Sequence, residues 1–205
     1  GQSAPGDGIC IANASLNINT HNVVLRHLRV RRGIPTGKQG SDNIGGYPQH
    51  HVIVDHCSVS WGRDENLSLY RWMDERPDPT SSAGDMLRIK RPVRNLTIQY
   101  CISSEALGPG HEFGGTWGGR DATFHHNLFA CNTGRNPSVG MIYDFTFANN
   151  VIFNWRHRTV DGGDHRSFYN IINNYFKPGP VTPRNRTIGH RLLKPESRRA
   201  KPPVD

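Results

Sequence analysis

Two aspartates and an arginine are spaced so that a winding chain would bring them to one wall. Asp42 lies ten residues before Val52, and Arg135 lies ten residues before Phe145, both at the start of similar phrases. Asp64 follows Asp42 by 22 residues, with Glu65 beside it. If one turn takes about that length, Asp42 and Asp64 are stacked neighbours. Carboxylates roughly 5 Å apart in a partly dehydrated groove repel each other unless a proton or cation intervenes. Oxygen donors of this type suit Ca²⁺ better than zinc, so Asp42, Asp64 and Glu65 are candidate calcium ligands. The plainer reading makes Asp42 and Asp64 turn caps or partners of Arg63 and Arg71.

A recurring strand-like phrase must position them. It runs over residues 22–30, 51–59, 95–103, 121–129, 144–153 and 168–176, alternating apolar and polar and rich in β-branched and aromatic residues. With Val23, Val52, Leu96, Ala122, Phe145 and Phe168 taken as equivalent, the intervals are 29, 44, 26, 23 and 23. Such periods mark a solenoid. Strands returning without hairpin signals suit an all-β fold, a right-handed, single-stranded parallel β-helix whose coils stack at about 4.8 Å. An irregular β-sandwich is the competing architecture. Asn127, Asn150 and Asn174, spaced by 23 and 24, are expected to form an amide ladder, with Cys57 and Cys101 in the same slot. The 44-residue interval holds an insertion at about 71–94, expected to loop out and wall a groove. The solenoid is assigned to residues 1–180 and a basic, Pro-containing extension, expected to be solvated, to 181–205.

Only 35% of the 205 residues are hydrophobic, which a narrow β-helix interior lined by polar ladders tolerates. The formal charge of +8 favours polyanionic partners. Arginines recur near the coil corners, among them Arg120, Arg135, Arg156 and Arg158. Cys10, Cys57, Cys101 and Cys131 show no zinc-site spacing, and buried free thiols are expected at 57 and 101. No apolar run is long enough to span a membrane. The opening Gly1 to Gly8 reads as the interior of a coil, so a longer protein with its leader upstream is expected.

Several segments carry a resemblance to the pectate lyase family. Val52-Ile-Val-Asp-His-Cys-Ser-Val-Ser-Trp61, followed by Asp64-Glu-Asn-Leu-Ser68, is similar to that family's V-W-I-D-H region. Gly1 to Cys10, Gly114 to Gly119, His125 to Asn127, Gly134 to Pro137 and Asn173 to Gly179 resemble further segments in the same order. The resemblance covers about residues 1–180 and implies a right-handed parallel β-helix, a polygalacturonate (pectin) substrate and a Ca²⁺ cofactor. It places calcium ligands at Asp42 and Asp64, with Glu65 as a further ligand, and the catalytic base at Arg135. Asp55 and His56 match the family's hallmark pair, read here as structural.

The implied reaction is β-elimination, in which Ca²⁺ acidifies the proton at C5 of a uronate and Arg135 removes it. A guanidine is a poor base, so an alkaline optimum follows; alternatively, Arg135 only binds a uronate carboxylate. Three family features are missing. No lysine stands near residues 108–110, no cation follows Arg135 within Ser138 to Gly140, and Ser68 occupies an acidic position. Arg158, His111 and Lys90 are the candidates for substrate contact. The expectation is a secreted or periplasmic monomeric lyase, with neither nucleic acid nor membrane as partner. The alternative is a catalytically impaired β-helix that binds acidic polysaccharide. A hydrolase is a third reading, prompted by Arg88-Ile-Lys90, but no Gly-His-Gly motif accompanies it.

Overall fold

The structure, a computed structural model, describes residues 1–33, 41–108, 110–164 and 166–196. It is a parallel β-solenoid of about six turns. The first face is a seven-stranded sheet from Ile9–Ala12 through Ser58–Ser60 to Tyr175–Lys177. The second has six strands: Val23–Arg26, His50–Asp55, Arg94–Gln99, Arg120–His125, Asp144–Ala148 and Phe168–Ile172. The third joins Thr116–Gly118, Ser138–Gly140, Val160–Gly162 and Leu193–Pro195. Bridges between Leu69 and Trp117 and between Ile44 and Leu67 continue that face down to Ile44–Gly46 and Leu16–Ile18. Among the described residues, the sole helical turn is a 3₁₀ turn at Thr187–Gly189, and no helix is long and apolar enough to cross a membrane.

Alternation along each strand fills the interior. On the second face Val52, Leu96, Ala122 and Phe145 pair in one inward column, and Val54, Ile98, Phe124 and Phe147 in the next. Their rings and branches are almost wholly buried, at about 1.5–3 kcal/mol for a fully buried large side chain. The last strand departs from the expected register: Phe145 pairs with Tyr169, not Phe168. A one-residue slip reverses the faces of a strand. Tyr169 therefore packs on the core, while Phe168 is 69% exposed.

The corner after the second face repeats in every coil. His27, His56, Tyr100, His126, Asn149 and Asn173 all take positive φ, between 51° and 56°. Asparagine tolerates that region and His or Tyr do so at some cost. Outside the corner the rings stack, with centroids 5.0 Å apart for His27–His56, 4.8 Å for His56–Tyr100 and 4.9 Å for Tyr100–His126. The next residue points inward and forms the expected ladder. Asn127 Nδ2 donates to Asn150 Oδ1 at 3.0 Å, and Asn150 Nδ2 to Asn174 Oδ1 at 2.9 Å. Cys101 N donates to Asn127 Oδ1 at 2.9 Å and Cys57 N to Cys101 Sγ at 3.4 Å, so both buried thiols share the slot.

Two segments are more ordered than their sequence implies. The insertion is an antiparallel hairpin, Arg71–Pro77 with Met86–Pro92, rooted where Val93 N donates to Tyr70 O at 3.2 Å. Part of the expected solvated extension belongs to the solenoid. Leu193–Pro195 pairs with Val160–Gly162, Thr159 Oγ1 donates to Arg191 O at 2.7 Å, and Trp155 Nε1 donates to Ile188 O at 3.0 Å. Burying Leu193 and the indole of Trp155 outweighs the local basic charge. Residues 197–205 lie outside the described set.

Candidate active site

The turns leading into the third face hold the candidate residues. Asp42 stands two residues before Ile44–Gly46, Arg135 three before Ser138–Gly140, and Arg158 two before Val160–Gly162. Glu65, not Asp64, lies in register with Asp42: Asn43 N donates to Glu65 O at 3.1 Å, and Glu65 N to Asp42 Oδ1 at 3.2 Å. Bridges from Glu65 to Phe113 and from Phe113 to Gly134 carry the column upward, so Arg135 stands one residue beyond the register of Asp42 rather than in it. The residue with the 23-residue spacing of the tight coils is the one that stacks.

Glu65 is buried and its carboxylate is fully engaged. Thr116 Oγ1 donates to its Oε1 at 2.8 Å, Thr116 N to its Oε2 at 3.1 Å, and Arg135 Nη1 to Oε1 as well. Arg135 has a positive φ of 50°, costly for a side chain this large, and its guanidinium lies 4.3 Å from the centre of the Phe113 ring. Arg158 stacks on the same ring at 5.5 Å and pairs with buried Asp161, Nε to Oδ2, at 3.0 Å. Asp64 instead faces His111, whose Nδ1 is 2.6 Å from Asp64 Oδ1.

Asp42, Asp64, Glu65, Thr116 and Arg135 line a polar cleft of about 400 Å³ that also takes in Asn19, Tyr47, Ser68 and Arg71. A second hollow of about 380 Å³ shares Tyr70, Arg71, Thr116 and Arg135 with it and reaches Lys90 and Arg158. All of the expected ligands and substrate contacts except His111 therefore line one continuous trough, and His111 is tied to it through Asp64. Asp55 and His56 are elsewhere, at the corner after the second face. There Asp55 is buried and accepts from Arg26 Nε at 2.6 Å and Gln99 Nε2 at 3.0 Å, with His56 Nδ1 at 2.6 Å. Burial raises that carboxyl's pKa, but the three hydrogen bonds prevail and hold it below the ordinary range. The pair fixes the coil.

Burial, then the charges of Glu65 and Asp64, push the Asp42 carboxyl up to about 8. Negative charge is therefore gathered where hard oxygen donors converge, which fits the donor chemistry of a divalent cation such as Ca²⁺. Among the described residues, however, no three His, Cys, Asp or Glu side chains are grouped closely enough to hold a metal. Asp64 is turned to His111 and Glu65 to Arg135. Spacing alone does not disclose Phe113 or Thr116, which orient the arginine and the glutamate.

No family model matches the chain. It is similar to proteins named "Probable pectate lyase C": 38% identical over 189 residues to that of Aspergillus flavus, covering 89% of this chain and 39% of the relative. The Aspergillus oryzae protein is 37% identical over 186 residues, covering 87% and 38%. That of Emericella nidulans is 35% identical over 189 residues, covering 89% and 38%. The chain thus spans less than half the length of these relatives. Across nearly nine-tenths of its own length, it is a homologue of proteins that bear the name pectate lyase, folded as a parallel β-solenoid.

Proposed function

We propose that this trough cleaves polygalacturonate by calcium-dependent β-elimination, yielding 4,5-unsaturated oligogalacturonides outside the cell. The observation that carries the reading is the set of Arg135, Glu65 and Asp42 in one cleft of a chain homologous to named pectate lyases.

In the reaction, a guanidine nitrogen of Arg135 takes the C5 proton, which is acidic because it lies α to the uronate carboxylate. The C5–H pair forms the C4=C5 bond, the C4–O bond breaks, and the leaving oxygen gains a proton from water. Neutralising a free guanidinium at about pH 9 costs roughly 5 kcal/mol. The ion pair to Glu65 adds to that cost, so the pair must break before Arg135 acts, which would leave Glu65 free to join Asp42 and Asp64. Calcium held by those three carboxylates would balance their charge and the substrate carboxylate's, and make C5–H more acidic. Stacking on Phe113 orients Arg135 throughout. Arg158 and Lys90 receive neighbouring uronate carboxylates along the second hollow.

A second reading, a polysaccharide-binding β-helix with impaired catalysis, is favoured by one observation. Two of the three carboxylates are already held by His111 and Arg135. Incubation with polygalacturonate, with calcium and then with chelator, decides between them. Rising ultraviolet absorbance from the unsaturated product, abolished by chelator and by Arg135→Lys, is the expected result. Binding without absorbance supports the second reading, and new reducing ends without absorbance overturn both.

A further inference from the structure

The hairpin has two faces, and only one belongs to the trough. Arg71 and Lys90 lie on the trough side. Trp72 and Arg91 are paired across the strands and point to the other side, into a separate cleft of about 440 Å³. Its floor is a cationic column on the second face, where Arg94 pairs in register with His50 below and Arg120 above. His21 extends the column, its ring centroid 4.5 Å from that of His50. Tyr143 closes the upper end, with the Arg120 guanidinium 5.8 Å from its ring centre and Arg166 Nη1 3.5 Å from its hydroxyl.

Like charges directly opposite on neighbouring strands cost stability. Desolvation first, then His21, His51 and Arg94, hold the His50 pKa below its ordinary value. Counter-charge is sparse: Arg91 meets Asp74 at 3.2 Å, Arg120 meets Asp121 at 4.0 Å, and Arg94 has no ion pair among the described residues. The guanidinium groups of Arg94 and Arg120, on strands about 4.8 Å apart, suit successive anions of a linear chain better than a single one. Trp72 and Tyr143 supply flat apolar surfaces for sugar rings.

We propose that this cleft, lined by Trp72, Arg91, Arg94, Arg120 and Tyr143, is a second binding site for acidic polysaccharide, separate from the trough and independent of calcium. It shares its ligand class with the function proposed above but does not depend on catalysis there. The test is binding of an unesterified decagalacturonate to the chain in chelator, where the carboxylates of the trough repel uronate. Binding is expected to persist, and Arg94→Ala with Arg120→Ala should weaken it about tenfold. Trp72→Ala should weaken it by a similar factor and Arg94→Lys much less, with circular dichroism confirming the fold of each variant. Calcium-dependent binding that ignores these substitutions would overturn the second site while leaving the trough intact. Displacement by an oligodeoxynucleotide of equal charge at equal affinity would overturn the saccharide assignment.

Discussion

Glu65 and Arg135, seventy positions apart in sequence, form an ion pair in the wall of the trough. The solenoid makes this possible, because a few coils convert distant positions into neighbours. Glu65 is almost fully buried, whereas Arg135 keeps 29% of its side chain exposed. Glu65→Gln should therefore destabilise the fold by about 1–3 kcal/mol, less than a wholly buried pair would. Thermal unfolding measures this. If Glu65 also serves as a ligand, the variant's calcium requirement for turnover rises at the same time.

Asp42 predicts an unusual dependence of stability on pH. Its carboxyl titrates at about 8 in the folded chain and near 3.9 when unfolded. Between those values the folded state binds more protons, so this group's contribution to stability falls as pH rises from about 4 to about 8. In chelator, the wild-type Tm should decline over that window relative to Asp42→Asn. Under the calcium-dependent reading, added calcium restores more stability at pH 8.5 than at pH 5.5. A parallel pH response of the two proteins would contradict the assignment.

The amide ladder gives a prediction for the interior. Asn150 accepts from Asn127 N at 2.9 Å and donates to Phe124 O at 3.0 Å and to Asn174. Asn150→Ala leaves several buried polar groups without partners, each costing about 1–3 kcal/mol. A loss at the upper end of that range or beyond is expected in denaturant titration. Asn174→Ala, at the partly buried end of the ladder, should cost less.

Close approach of coils on the third face gives another. A Cβ at Gly118 would run into the Gly140 carbonyl oxygen of the next coil, although the backbone there has no left-handed strain. Gly118→Ala should thus break the pairing of Thr116–Gly118 with Ser138–Gly140 and lower soluble yield sharply. Gly84→Ala, at the hairpin tip with φ of 77° and open space around it, should cost only about 1 kcal/mol.

What the sequence disclosed tracks its periodicity. The repeat takes Val52, Leu96, Ala122 and Phe145 as equivalent, and they do stack in one inward column, while the 23- and 24-residue spacings align the three ladder asparagines. The same arithmetic miscarried where coils vary by one residue. Spacing points to Phe168 where Tyr169 pairs, and to Asp64 where Glu65 pairs, because two aromatic residues are adjacent at the first point and two acidic residues at the second. Asp42, Arg135 and Arg158 come together through the stacking of coils, whereas Lys90 joins their trough through the hairpin, whose pairing no repeat encodes. Leu193–Pro195 was hidden by the surrounding basic residues, since three residues of strand carry too little pattern to read.

The hairpin leaves and rejoins the coil between Tyr70 and Val93, which remain one hydrogen bond apart. Its two ends thus close on themselves, and the stack above and below does not register how long the excursion is. Arms of other lengths could be exchanged at this point without disturbing a single rung. Under the proposed function, contacts made from the hairpin form a detachable module, whereas the carboxylates and Arg135 are tied to the pitch of the winding.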